Sequence, residues 1–319
     1  MLRSVLISLS ESEAIQKLIM HWPPAKKAAQ RFVAGETLAQ AIEAVRKLNE
    51  KGILASIDQL GENTTDSESA AHATRGILDI LELIETSGVR ANVSVKLSQI
   101  GMGLNDDLCQ QNLSKILTRA KLTRNFIRID MESAQVTEKT LNMYWFCIQN
   151  GFNNTGIVIQ SYLFRSEKDI AQLNSAGGRV RLCKGAYKES KNVAFPHKAD
   201  VDKNFDHLTI ALFESEKMAG LPISDRDGKT PPIPALATHD EKRINFAKQQ
   251  MKVMRLPKEA VEFQMLYGIR RDLQKQLVKE GYQVRVYVPF GTHWYPYFMR
   301  RLAERPANLW FFLSSYFHK

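Results

Sequence analysis

ILASIDQLGE, residues 53–62, opens with apolar and small side chains and closes on Asp58 and Glu62. A short β-rich run that turns polar only at its end reads as a buried strand whose tip reaches a functional opening. Seven similar runs follow: NVSVKLSQ (92–99), FIRIDME (126–132), GIVIQSY (156–162), RVRLCKGAY (179–187), IPALATHD (233–240), EFQMLYG (262–268) and VRVYVPFG (284–291). Between them lie amphipathic helical patterns such as ATRGILDILELIETSG, QQNLSKILTRAK, TLNMYWFCIQNG, HLTIALFESEKMAG and RINFAKQQMK. Eight alternations of this kind fit either a (β/α)8 barrel or an open doubly wound sheet. No G-x-G-x-x-G follows the first run, and GMG at 101–103 is too short to substitute, so the barrel is expected.

Upstream, Pro23-Pro24 separates two helical patterns, EAIQKLIMHW and LAQAIEAVRKL. Residues 1–50 therefore read as an N-terminal helical arm and residues 51–319 as the barrel.

The 319 residues carry 44% hydrophobic and 24% charged side chains, ordinary for a globular protein. The formal net charge of +10 suits an anionic partner and equally suits plain solubility. Cys109, Cys147 and Cys183 are odd in number and widely spaced, which indicates neither a disulfide framework nor a zinc site and fits a reducing compartment. The N-terminus is too polar for a signal peptide, and no run of about 18 apolar residues offers a membrane span. A cytoplasmic location is expected. H-E-x-x-H, G-x-S-x-G and Walker patterns are absent, which argues against metal hydrolysis and phosphoryl transfer from a nucleotide; no metal is expected.

In a barrel the strand interiors are expected to be apolar packing, with chemistry at the strand ends. Those ends supply Asp58, Glu62, Lys96, Asp130, Glu132, Gln160, Arg181, Lys184, His239, Gln264 and Tyr287. Each alone has a bland reading as half of an ion pair or, for His239, as a satisfied structural histidine; together they converge. Lys96 and Asp130 come from neighbouring strands and are expected to pair. Gly185 and Ala186 leave room for a flat ligand or a pyrophosphate near the backbone. The last helix, YPYFMRRLAER (295–305), places Tyr297, Arg300, Arg301 and Glu304 on one face and Phe298, Met299 and Leu302 towards the other. Paired guanidiniums there suit a small carboxylate.

LGE (60–62), VSVKLS (93–98), IDME (129–132), RLCKGAY (181–187), ATHD (237–240), FQMLYG (263–268) and YPYFMRRLAER together resemble proline dehydrogenases of the monofunctional bacterial kind, in the family's order and across the whole barrel. The resemblance implies a distorted (β/α)8 barrel that holds FAD and oxidises L-proline to Δ1-pyrroline-5-carboxylate, passing electrons to quinone. It implies that Arg300, Arg301 and Lys96 bind the proline carboxylate, that Asp130 pairs with Tyr287, and that Tyr187, Leu266 and Tyr297 wall the substrate. Glu62 is implied to gate the site through Arg300. FAD contacts carry over to Gln160, Arg181, Lys184, Gly185, Ala186, Thr238, His239 and Glu304, with Arg181 near the reactive edge. HKAD at 197–200 departs from the Thr-Lys that relatives often carry, which leaves Lys198 as that loop's candidate. Tyr287 resembles the proline-preferring members.

With no aldehyde dehydrogenase domain in view, the second step of proline catabolism is expected to fall to another protein. Peripheral, transient docking at the inner membrane is expected from the surplus positive charge. The competing readings are another FAD-dependent barrel, such as a methylenetetrahydrofolate reductase, and a basic nucleic-acid or membrane-surface module. The second predicts a basic stripe interleaved with aromatics, whereas charges and aromatics here gather at strand ends and on one helix; no nucleic-acid partner is expected.

Overall fold

The computed structural model describes residue 19, residues 22–225 and residues 227–304. Most of the first helical pattern and the chain beyond Glu304 lie outside the described residues, as does the side chain of Glu304. Eight parallel strands pair in chain order and close into a barrel: β1 (Leu54–Gln59), β2 (Ala91–Val95), β3 (Ile127–Ile129), β4 (Thr155–Gln160), β5 (Val180–Cys183), β6 (Pro234–Ala237), β7 (Glu262–Leu266) and β8 (Gln283–Phe290). The seam between β8 and β1 is the longest ladder, running from Leu54↔Arg285 to Gln59↔Phe290.

Before the barrel come α1 (Pro23–Ala29) and α2 (Leu38–Asn49). The strands are then followed in turn by α3 (Ser67–Ser87), α4 (Asp106–Leu122), α5 (Thr137–Gln149), α6 (Ser166–Ser175), α7 (Lys198–Met218), α8 (Glu241–Met254), α9 (Arg271–Lys279) and α10 (Trp294–Glu304). Their starts are written in the sequence. Thr37 and Gln40 form a capping box on α2, Asp66 accepts the Ser69 N–H of α3, and Asn105 accepts from Asp107 and Leu108 of α4. The proline pair opens α1 in the first-turn positions, where a missing N–H costs nothing.

Alternation along the strands divides the barrel. Ile57, Val93, Val95, Ile127, Ile129, Ile157, Ile159, Leu182, Phe263, Val284, Val286 and Val288 are buried in one large apolar core with Ile77, Ile80, Ile84, Leu113 and Ile116 of the surrounding helices. The alternate residues point inward, and here the expectation of apolar strand interiors is wrong. Ser56, Ser94, Arg128, Arg181, Glu262 and Arg285 are all buried inside. They are tolerated because most find partners. Arg285 binds both carboxylate oxygens of Glu262 at 2.8 and 2.9 Å and the Ala55 carbonyl at 2.7 Å, with neither side chain exposed.

Outside the regular ring, helices near the two limits of the described residues pack on the barrel and on one another. α2 packs against β1 and β8, while α10 packs with α1 in a second, separate core of Phe32, Val33, Leu60, Trp294, Phe298, Met299 and Leu302. This core seats α10 beside the strand ends. Hydrogen bonds from Ala34 N–H to the Pro289 carbonyl (2.8 Å) and from Gly291 N–H to the Gly35 carbonyl (3.0 Å) tie the segment after α1 to the tip of β8. Gly268 has φ +76° and faces the Arg31 carbonyl oxygen so closely that a Cβ would stand 1.7 Å from it; only glycine allows that approach.

Candidate active site

The C-terminal ends of the strands surround a cleft of about 850 Å³, within the range of small-molecule and cofactor sites. Among the residues singled out above, Glu62, Lys96, Asp130, Gln160, Arg181, Lys184, Gly185, Ala186, Tyr187, Thr238, His239, Gln264, Leu266, Tyr287, Tyr297, Arg300 and Arg301 line it. Lys198 stands at its rim, and only Glu304 falls outside the described side chains.

One hydrogen-bonded network runs through the cleft. Arg181 on β5 reaches across the interior, its Nη1 donating to Asp130 Oδ1 at 2.8 Å and its Nη2 to Ser94 Oγ at 2.9 Å. Tyr287 OH donates to Asp130 Oδ2 at 2.8 Å and accepts from Lys96 Nζ at 3.0 Å. Burial, reinforced by Asp130 and Asp58, pushes the Tyr287 phenol well above its ordinary range, so it stays protonated as the Asp130 bond requires.

Lys96 forms the expected ion pair with Asp130 and adds a closer one. Asp130 is 3.7 Å from its ammonium, but the close partner is Asp58, with both carboxylate oxygens at 2.9 Å. Burial alone would lower the Lys96 pKa; Asp58, Asp130 and Glu62 together outweigh it and hold the ammonium above its ordinary value. Asp58 is completely buried, and that burial pushes its carboxyl up to about 6 against the opposing pull of Lys96. Its place at a strand end was visible in the sequence; its partnership with Lys96 was not.

At the outer edge Arg300 Nη2 donates to Glu62 Oε1 at 2.8 Å. Beside it Arg301 is buried, its guanidinium 5.1 Å from the centre of the Tyr297 ring. A second cavity of about 680 Å³ shares Glu62, Ala186, Tyr187, Tyr297 and Arg300 with the first, so the ion pair stands between two spaces.

The opposite wall comes from β4, β5 and β6. Gln160 Nε2 donates to the Glu132 carbonyl at 2.8 Å, and Glu132 in turn accepts from Ser98 N–H and Oγ at 3.1 and 2.6 Å. Lys184 bonds Asp202 and, at 2.6 Å, Asp240. Gly185 adopts φ +108° with the Tyr162 ring 2.4 Å from where a Cβ would sit. His239 Nε2 accepts the Leu266 N–H at 2.9 Å, so the ring's proton sits on Nδ1. His239 thus has a structural role and also faces the cleft. Among the described residues no group of three or more His, Cys, Asp or Glu is placed to hold a metal ion.

The chain is similar to known proteins over nearly all of its length. A model described as proline dehydrogenase matches residues 41–312. Proline dehydrogenase 1 of Bacillus subtilis strain 168 is 39% identical over 319 residues, covering all of both chains. Proline dehydrogenase of Deinococcus radiodurans is 37% identical over 319 residues, covering 98% of this chain and 97% of its own. Among solved structures, proline utilization A from Bdellovibrio bacteriovorus, inactivated by N-propargylglycine, superposes with a TM-score of 0.79 at 24% identity. That likeness concerns the fold; it covers 88% of this chain, which spans about a third of that longer protein. The family match sets aside both the folate-reductase and the basic-module readings, and the chain belongs to the proline dehydrogenase family.

Proposed function

We propose that the protein oxidises L-proline to Δ1-pyrroline-5-carboxylate with FAD as its cofactor, the first step of proline catabolism. The observation that carries this reading is that Arg300, Arg301 and Lys96 line the same cleft as Gln160, Arg181 and Lys184. The residues fit the cofactor by the chemistry of their donors. An amide suits the edge of a heterocycle, a guanidinium suits an electron-rich ring, and Lys184 suits a pyrophosphate. FAD would be held by Gln160, Arg181, Lys184, Gly185, Ala186, Thr238, His239 and Glu304. When bound it supplies the hydride acceptor for the carbon next to the proline nitrogen.

The chain's own work is capture and orientation. Arg300 and Arg301 grip the carboxylate through charge-assisted hydrogen bonds, and Lys96 adds a third cation. Tyr187, Leu266 and Tyr297 wall the ring and exclude water, which keeps the amine neutral and in a fixed pose. Asp130 and Tyr287 hold one another beside the substrate, and Asp130 also orients Arg181. Glu62 closes over the site by binding Arg300 and opens when that bond breaks.

The electron acceptor is proposed to be a membrane quinone, reached by transient docking of a cytoplasmic protein at an anionic bilayer, for which the +10 charge is the support. No helix of the described residues is long and apolar enough to cross a membrane. Flotation with acidic liposomes tests the docking, and no enrichment over neutral ones would refute it. For the reaction itself, L-proline, D-proline and pyrrolidine are compared with an artificial electron acceptor. Turnover of L-proline with none of pyrrolidine, which lacks the carboxylate, is expected; equal turnover of the two would overturn the reading.

A further inference from the structure

Asp58 touches no part of the cleft, yet it is the carboxylate that the cleft's lysine prefers. It is the fifth residue of β1, turned inward and 0% exposed. Lys96 Nζ has three N–H groups and meets the two Asp58 oxygens at 2.9 Å and Tyr287 OH at 3.0 Å. Asp130 at 3.7 Å and Glu62 at 3.9 Å lie just beyond hydrogen-bonding reach. Both of those carboxylates already have other partners: Asp130 binds Arg181 and Tyr287, and Glu62 binds Arg300.

We propose that Asp58 is a positioning residue for substrate capture, acting through Lys96. By taking two of the ammonium's donors from behind, it stops Lys96 from collapsing onto Asp130 or Glu62. Those two carboxylates are thereby left to orient Arg181 and to gate with Arg300, and the ammonium stays where an incoming carboxylate meets its charge and competes with Tyr287 for its third N–H. Without Asp58, the nearest acceptors for Nζ are the ones the site uses elsewhere. A buried ammonium that loses its partner moves towards the next carboxylate, because an unpaired buried charge is costly. The inference rests on the proline reading for its kinetic consequence and on geometry alone for its structural one.

The test has two arms on the full-length protein. In the first, Asp58→Asn, Lys96→Met and the double variant are compared in L-proline kinetics. Asp58→Asn is expected to raise KM by about tenfold, the scale of one charge-assisted bond, with kcat changed far less and flavin content retained. In the Lys96→Met background the same substitution is expected to add nothing. An unchanged KM, or a second full loss in that background, overturns the proposal. In the second arm, a crystal structure of Asp58→Asn is expected to show Nζ moved to within hydrogen-bonding distance of Asp130 or Glu62; an unmoved Nζ overturns it whatever the substrate proves to be. Should Asp58→Asn fail to fold, the double variant, which removes both charges, is expected to fold, and its failure would overturn the proposal as well. Wild-type protein inactive on proline with a displaced Nζ in the variant would refute the proline reading and leave the positioning role standing.

Discussion

Arg300 Nη2 and Glu62 Oε1 stand 2.8 Å apart and join α10 to the loop after β1 across the outer edge of the cleft. The same guanidinium borders both cavities, so a carboxylate arriving from outside competes with Glu62 for it. Arg300→Ala removes the bond to Glu62 and, on the proposed reading, one contact to the substrate carboxylate. It is expected to raise KM for L-proline by about 10- to 100-fold, the scale of a hydrogen bond between charged groups, while the protein keeps its flavin colour. Steady-state kinetics beside an absorbance spectrum checks both halves.

Tyr287→Phe deletes the hydroxyl that donates to Asp130 and accepts from Lys96. About 1–2 kcal/mol of interaction is lost, which corresponds to a fall of roughly tenfold in kcat/KM. The ring is kept, so packing is preserved, and stability is expected to fall only by the scale of the lost hydrogen bonds, about 1–2 kcal/mol. A thermal melt together with kinetics on the same preparation separates the two effects.

Gly185→Ala asks a residue at φ +108° to carry a Cβ 2.4 Å from the Tyr162 ring. The obstructing ring belongs to a buried side chain, so relief requires moving the cleft wall itself. A loss of about 1–3 kcal/mol in stability is expected, with reduced cofactor retention measured as flavin released per mole of protein.

Glu216 on α7 is fully buried, and only the Ile233 backbone and the charge of Arg179 act to favour its ionised form. Burial pushes its carboxyl from the ordinary 4.5 up to about 8. The folded protein therefore holds a proton that the unfolded chain has released. The stability this gives is complete below about pH 4.5 and is lost as pH rises through about 8. Glu216→Gln mimics the protonated form. It is expected to match the wild type at low pH and to exceed it at pH 9 by on the order of 2 kcal/mol, read from denaturant unfolding at the two pH values.

The strands were legible because each is a short β-rich run, and each of the eight runs overlaps one of the eight strands, beginning one residue late at β2, β4 and β8. α6 and α9 were harder to see: SEKDIAQLNS and RDLQKQLVK have few apolar positions with which to mark a helical face. The location of the polar strand ends was readable from position alone, since alternate residues of a barrel strand share a side. Pairing was not. Arg181 bonds Ser94, 87 residues away, across the interior, and Lys96 binds Asp58 in preference to Asp130. Both choices depend on strand register and side-chain reach, which a single chain read linearly does not express. The polar barrel interior escaped for the same reason: Arg285 and Glu262 look like surface charges until β7 and β8 place them side by side.

The most direct test is an anaerobic titration of the purified, FAD-loaded protein with L-proline, followed by visible absorbance. Bleaching of the oxidised-flavin band in proportion to added proline is the expected result, with Arg300→Ala needing more proline to reach the same end point. A flavin band that persists at saturating proline, or a protein that retains no FAD, would contradict the assignment.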